Sequence, residues 1–174
     1  MSVAKEQREK LIWEFPNIGK KAPEQEEKAF AYCEGYKEFL NAAKTEREFV
    51  REAVLRLKEA GYEEFEEGKS YQPGDKVYQI NRKKALLMST FGKRPLEDGV
   101  RINVAHIDSP RLDLKPNPLY EKAEAAYFKT HYYGGIRKYQ WATIPLAMHG
   151  VVILKDGTSM DICIGEKRAI QSSA

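Results

Sequence analysis

The apolar pattern changes period once along the chain, and that change limits the folds open to it. Up to Gly61 apolar residues recur at three- and four-residue steps, and after Gly74 they recur at steps of two. The first spacing lines one face of a helix, the second one face of a strand. Helices that give way to strands, each with an apolar face to bury, predict a layered α/β arrangement.

The helical part has two segments. From Glu24 to about Lys44, Phe30, Cys33, Tyr36 (or Lys37), Phe39 and Leu40 share one face, although Gly35 weakens the helix. Thr45-Glu46-Arg47-Glu48 then reads as a capping box, in which the Thr45 hydroxyl and the Glu48 carboxylate satisfy free amides reciprocally. Phe49, Val50, Ala53, Val54, Leu57 and Ala60 form the expected buried stripe, and Gly61 stands where a left-handed stop belongs. Ahead of these helices the chain is charged and broken by proline. A short helix through Glu6–Glu14 is compatible with the pattern and would end before Pro16.

In the strand part, Val77, Tyr78 and Ile80 lead through Asn81–Lys84 into Ala85–Phe91, which predicts a hairpin. Pro95, Asp98 and Gly99 mark a loop, and Val100–Ala105 is expected to rise as a strand toward His106. Pro116, Pro118 and Glu121–Ala126 read as a crossover. Tyr127–Tyr133, Ile144–Leu154 and Ser159–Ile164 follow as antiparallel strands, with a tight turn at Asp156-Gly157. The expected division is therefore an α/β portion over 1–116, a β-rich unit over 117–165 and a tail over 166–174.

Composition removes several function classes. Hydrophobic residues at 42% and charged residues at 32% belong to a globular chain rather than a disordered one. The formal charge of +3 is spread over interleaved lysine, arginine, aspartate and glutamate, so neither nucleic acid nor an anionic membrane is the expected partner. No apolar run approaches the roughly 20 residues needed to span a bilayer. The run at Leu11–Phe15 is interrupted by Glu14 and followed by Pro16, too short for a signal peptide. Cys33 and Cys163 lack metal-binding spacing and read as buried thiols, which points to a reducing, cytoplasmic setting.

The chemistry is concentrated in Val104-Ala105-His106-Ile107-Asp108-Ser109-Pro110-Arg111-Leu112-Asp113. In a strand, His106 and Asp108 project from one face and converge at its end. Such a pair suits metal binding: one imidazole nitrogen meets the ion while a carboxylate fixes the other. A histidine at a strand end is also commonly a satisfied polar residue, and the pair alone does not decide between the two.

The surrounding residues resemble a known family. Ala105-His106-Ile107-Asp108-Ser109-Pro110, followed by Leu114-Lys115-Pro116-Asn117-Pro118, is similar to the HxDSP…LKPNP segment of the M18 metalloaminopeptidases, the aspartyl-aminopeptidase group. Tyr133-Gly134-Gly135-Ile136 through Trp141 resembles the family's YGG-I-x-x-x-x-W stretch, and Pro145–Val152 its next strand. The resemblance runs from about Lys44 to Gly165.

It implies a three-layer zinc-peptidase-like α/β core, incomplete here, followed by the start of an inserted β-rich oligomerisation domain. It also implies two divalent ions, usually zinc, with His106 as a metal ligand and Asp108 as the residue orienting it. The implied reaction is release of an N-terminal residue, classically acidic, from a peptide substrate by a homo-oligomer. Lys138 falls near the family's substrate contact from a neighbouring subunit. It would receive a substrate carboxylate there, or else be a solvated strand charge.

The remaining ligands and the catalytic glutamate are expected further along than this sequence reaches. Asp113, Asp156 and Asp161 match no ligand motif, and His131 and His149 read as structural residues. The chain alone is therefore expected to be inactive. The alternative expectation is a non-catalytic interaction module built on the β-rich part.

Overall fold

The computed structural model describes residues 22–166 together with Gln7, Leu11, Ile12 and Gly19, so most of the helix expected over Glu6–Glu14 and nearly all of the tail lie outside the described residues. The chain divides into two units, one through Asn41 and one from Ala42 onward.

Helix α1 (Pro23–Ala42) belongs almost wholly to the first unit. Proline opens it, where the missing amide costs no helical hydrogen bond, and Glu24 and Glu26 sit in the first turn, favourable for the helix dipole. A Glu34–Lys37 pair at 2.7 Å spans one turn of its surface. The expected burial of Cys33 is not found. No residue of α1 is buried, and the thiol is exposed.

Helix α2 (Glu46–Glu59) opens the second unit with the expected capping box. The Glu48 amide donates to Thr45 Oγ1 at 3.4 Å, and the Thr45 amide donates to Glu48 Oε2 at 3.0 Å. At the other end Gly61 takes φ +81°, and the amides of Gly61 and Tyr62 close onto the Lys58 and Leu57 carbonyls. The predicted stripe is buried at Val50 and Leu57 and exposed at Ala60, beyond the last helical turn.

Helix α2 packs on β2 (Lys76–Asn81) and β3 (Ala85–Thr90), which form a sheet with the short strand β1 (Glu63–Glu64) in the order β1-β2-β3. β1 runs parallel to β2, and β2 antiparallel to β3 with Tyr78 opposite Met88. Val77 and Tyr78 are each only 2% exposed although neighbouring strand residues point to opposite faces. Both faces of the sheet are therefore covered there. Burying such side chains contributes about 1.5–3 kcal/mol each, which makes this the centre of the core. The β2–β3 turn puts Arg82 and Lys83 at φ +52° and +58°, the mirror-image turn that matches strand twist. Tyr71 stacks between Phe65, just after β1, and Phe91, just after β3, with centroids 5.6 and 5.0 Å apart, and ties loop 65–75 to the sheet.

Two further hairpins complete the unit. β4 (Arg111–Lys122) and β5 (Ala125–Tyr133) pair antiparallel through a turn with Ala123 and Glu124 at φ +52° and +59°. The crossover expected over 116–126 is thus a hairpin. Pro116 and Pro118, which cannot donate to a ladder, fall in a bulge where the register shifts between Leu114 and Leu119. β4 runs unbroken across 116 and 117. β6 (Met148–Ile153) and β7 (Ser159–Ile164) form the last pair. Their five-residue loop, 154–158, has Gly157 at φ +86°, its amide donating to the Leu154 carbonyl at 2.9 Å. The strand expected from Ile144 begins only at Met148. Cys163, expected to be buried, is exposed on β7, since a two-stranded ribbon leaves its side chains open.

Residues 100–110 depart most from expectation. They form no strand, and none of their backbone groups makes a backbone–backbone hydrogen bond with another described segment. A strand exists only by pairing. With no partner among the described residues the segment stays extended and open, and Val104 is 90% exposed.

Candidate metal-ligand site

Extended segment 100–110 delivers His106 and Asp108 just before β4 begins. Although the segment is not a strand, the pair meets. His106 Nδ1 lies 3.2 Å from Asp108 Oδ1 and 3.1 Å from the Asp108 carbonyl oxygen. Both partners are acceptors, so Nδ1 carries the proton and the Nε2 lone pair is left open. The imidazole is 84% exposed, so that lone pair faces solvent rather than an apolar wall.

Asp108 is held in turn. A hydrogen bond from the Tyr133 hydroxyl is the main influence keeping its carboxyl below the usual range, helped by its own backbone amide and by His106, against a smaller opposing effect of burial. The same bond raises the Tyr133 phenol. Tyr133 ends β5 directly opposite Arg111, the first residue of β4. The Arg111 guanidinium sits 4.2 Å from the Tyr133 ring centroid. Its remaining donors reach Asp113 Oδ1 at 2.8 Å, the Ser109 carbonyl at 3.3 Å and Glu46 Oε1 at 3.2 Å. Glu46 opens α2, where the helix dipole favours a carboxylate. Arg111 therefore ties the start of α2, through Glu46, to the Ser109 carbonyl next to Asp108.

Other expected residues lie apart from this pair in role. Lys138 opens a single-turn helix α3 (Lys138–Trp141), with its ammonium 3.9 Å from the Tyr132 ring centroid. His131 stacks on Tyr132 at 5.3 Å. His149 is engaged at both ring nitrogens, by Glu48 Oε1 at 2.7 Å and Glu166 Oε1 at 2.9 Å, so neither nitrogen is open to an ion. Asp156 caps its own loop through the Thr158 amide, and Asp161 pairs with Arg51 at 2.9 Å.

A catalytic zinc needs about three protein ligands. Among the described residues no three histidine, cysteine, aspartate or glutamate side chains gather in a way that would hold an ion. The residues present fit one ligand position, an oriented imidazole with an open Nε2, and do not fit a complete metal site.

Sequence reading missed Tyr133, Arg111 and Glu46. Tyr133 lay inside a recognised stretch, but its pairing with Arg111 depends on a turn at Ala123-Glu124, which carries none of the usual glycine or asparagine signal.

Comparison with known proteins gives consistent matches. The family model described as aminopeptidase I zinc metalloprotease (M18) matches residues 39–171. A probable M18 family aminopeptidase 1 of Clostridium acetobutylicum is 48% identical over 161 residues, covering 90% of this chain and 35% of that protein. The crystal structure of an M18-family aminopeptidase from Thermotoga maritima aligns with TM-score 0.78 at 44% identity, covering 89% of this chain and 34% of that one. Aminopeptidase I from Borrelia burgdorferi B31 aligns with TM-score 0.77 at 44% identity, over 82% and 35% of the two chains. The chain thus spans about a third of the length of these relatives.

Proposed function

The chain belongs to the M18 family of zinc metalloproteases, and from that premise we propose that it is the N-terminal portion of an aminopeptidase whose first metal donor is His106. The observation carrying this reading is the oriented imidazole: Asp108 occupies Nδ1 and leaves Nε2 open and exposed. A carboxylate on the far nitrogen sets the tautomer and raises the basicity of a metal-binding histidine.

His106 would hold one of the implied zinc ions, which at a complete site would supply an acidified water and a polarised scissile carbonyl. The chain's own contribution is to fix one donor. His106 presents Nε2, Asp108 holds the ring, and Lys138 is the candidate contact for the carboxylate of an acidic N-terminal residue. The substrate is a peptide with a free amino terminus. Residues up to 116 belong in this reading to the catalytic α/β domain, and residues from 117 to 165 to an inserted β-rich domain that forms homo-oligomers. No described helix is long and apolar enough to cross a membrane, and we assign the protein to the cytoplasm.

Because one donor does not hold a catalytic ion, these 174 residues alone with added zinc are expected to hydrolyse aminoacyl anilides negligibly. Robust turnover abolished by His106→Ala would contradict the donor count. A second reading, an assembly module, is favoured by exposed apolar side chains along both hairpins, including Leu119, Phe128, Ile153 and Met160. Light scattering tests it, and a strictly monomeric chain would refute it.

A further inference from the structure

Three regions outside the proposed ligand pair hold unassigned chemistry: the apolar faces of the hairpins, the basic turn at Arg82, Lys83 and Lys84, and the cluster of His149 with Glu48 and Glu166. Nothing says what would cover the first, and nothing at the second points to a ligand. The third joins separate parts of the chain through one ring.

We propose that His149 is a proton-operated latch: as an imidazolium it ties the first turn of α2 to the chain leaving β7, and as a neutral imidazole it keeps Glu48 and releases Glu166. The inference is independent of the reading of His106 as a metal donor.

The latch follows from counting donors. His149 Nδ1 lies 2.7 Å from Glu48 Oε1, and Nε2 lies 2.9 Å from Glu166 Oε1. Ionised carboxylates only accept hydrogen bonds, so both contacts ask the ring to donate, and only the imidazolium carries two N–H groups. A neutral ring turns a lone pair toward one of the two carboxylates. The His149 side chain is mostly buried, so water does little to soften that opposition.

The two arms of the latch are unequal. Glu48 Oε2 accepts from the amides of Lys44 and Thr45 at 3.1 and 3.0 Å, so the helix cap pins this carboxylate whatever the ring does. Glu166 is brought to the ring by Gly165, which takes φ +97° and packs on the segment before β6. A β-carbon added to Gly165 would lie 3.3 Å from the Ala147 Cα and from the Leu146 carbonyl oxygen. Besides His149, Glu166 meets the Lys44 ammonium at 3.7 Å, and its side chain is more exposed than that of Glu48. Two further titratable groups stand on β7. Asp161 is paired with Arg51 of α2 at 2.9 Å, and the Cys163 thiol, opposite His149 in the ladder, is exposed. With the imidazolium, His149 and Lys44 balance Glu48 and Glu166; without it one carboxylate is in excess. Loss of the proton therefore falls on Nε2, and Glu166 leaves, while Glu48 and the Arg51–Asp161 pair keep the hairpin on α2.

The test follows the 15N-labelled 174-residue chain from about pH 5.5 to about pH 8.5, across the ordinary imidazole range. At the acid end, long-range proton–nitrogen spectra should show both His149 nitrogens protonated. As pH rises, Nε2 should lose its proton while Nδ1 keeps it. The heteronuclear Overhauser effect of the Gly165 and Glu166 amides should fall with the same midpoint, and that of Asp161 should stay level. Glu166→Gln supplies a side chain that accepts from the charged ring and donates to the neutral one. In that variant His149 still titrates, but the amides of residues 165 and 166 stay ordered throughout.

The unmodified chain decides by itself should the variant not fold. A ring nitrogen already bare at the acid end, a ring that keeps both protons throughout, or ordered amides at residues 165 and 166 after Nε2 has lost its proton would each overturn the proposal. A loss of order that persists unchanged in Glu166→Gln would do the same.

Discussion

Gly134 rests directly on Pro110: a β-carbon added to Gly134 would lie 3.3 Å from the Cα, Cβ and Cγ atoms of the proline. Gly134 also has φ +77°, a conformation that L side chains rarely adopt. Two stretches that looked separate in sequence, one around His106 and one at the double glycine, are thus packed together two residues from Asp108.

Gly134→Ala should therefore destabilise the chain by about 1–3 kcal/mol, from backbone strain and the contact with Pro110 together. Urea unfolding measures this. The His106 resonances should also broaden or move, because displacing Pro110 disturbs the adjacent Asp108. A variant as stable as the parent would show that the close approach is not maintained in solution.

The hairpin β6–β7 is tied to α2 by His149 and Glu48, whose side chains lie 2.7 Å apart with the imidazole only 10% exposed. Burial pushes the Glu48 carboxyl up, but its bonds to His149 and Thr45 and the charge of His149 together bring it below its ordinary value of 4.5. The folded state therefore binds that proton less readily than the unfolded state. The resulting stability is full above about pH 4.5 and is lost as pH falls through the lower folded value. His149→Ala should cost about 1–3 kcal/mol at neutral pH, since it leaves a partly buried carboxylate without its partner. It should also flatten the loss of stability on acidification. An acid limb identical in parent and variant would contradict the pairing.

Both thiols are exposed, so Cys33 and Cys163 should each react with a thiol reagent in the absence of denaturant. Mass spectrometry of the labelled chain counts them. Protection of Cys163 would mean that β7 is covered by something outside the described residues.

The contrast between what the sequence revealed and what it hid follows the range of the forces involved. The capping box at Thr45 and Glu48 and the stop at Gly61 were legible because each is settled within four residues. The hairpin from Val77 to Phe91 was legible from alternation alone. Val100–Ala105 has the composition of a strand, but a strand needs a neighbour, and composition does not supply one. Pro116 and Pro118 suggested a break because proline cannot pair; a bulge absorbed them instead.

The site divides the same way. His106 and Asp108 are two residues apart, so their meeting was readable, and it survived even though the expected strand did not form. Tyr133, Arg111 and Glu46 come from three elements: the register of β4 on β5 brings the first two together, and an ion pair across to α2 adds the third. Cys33 and Cys163 were misjudged for the converse reason. Apolar periodicity reports which face would be buried, and both thiols are exposed.

The three histidines of the chain offer the most direct test of its proposed role. Zinc titrated into the 15N-labelled chain should perturb Nε2 of His106 at lower concentration than any other ring nitrogen. Nδ1 of His106 should stay protonated on Asp108, and His149, occupied on both sides, should not respond. A His106 ring that stays unmoved while another imidazole takes the ion, or that takes it through Nδ1, would contradict the assignment of His106 as a metal donor.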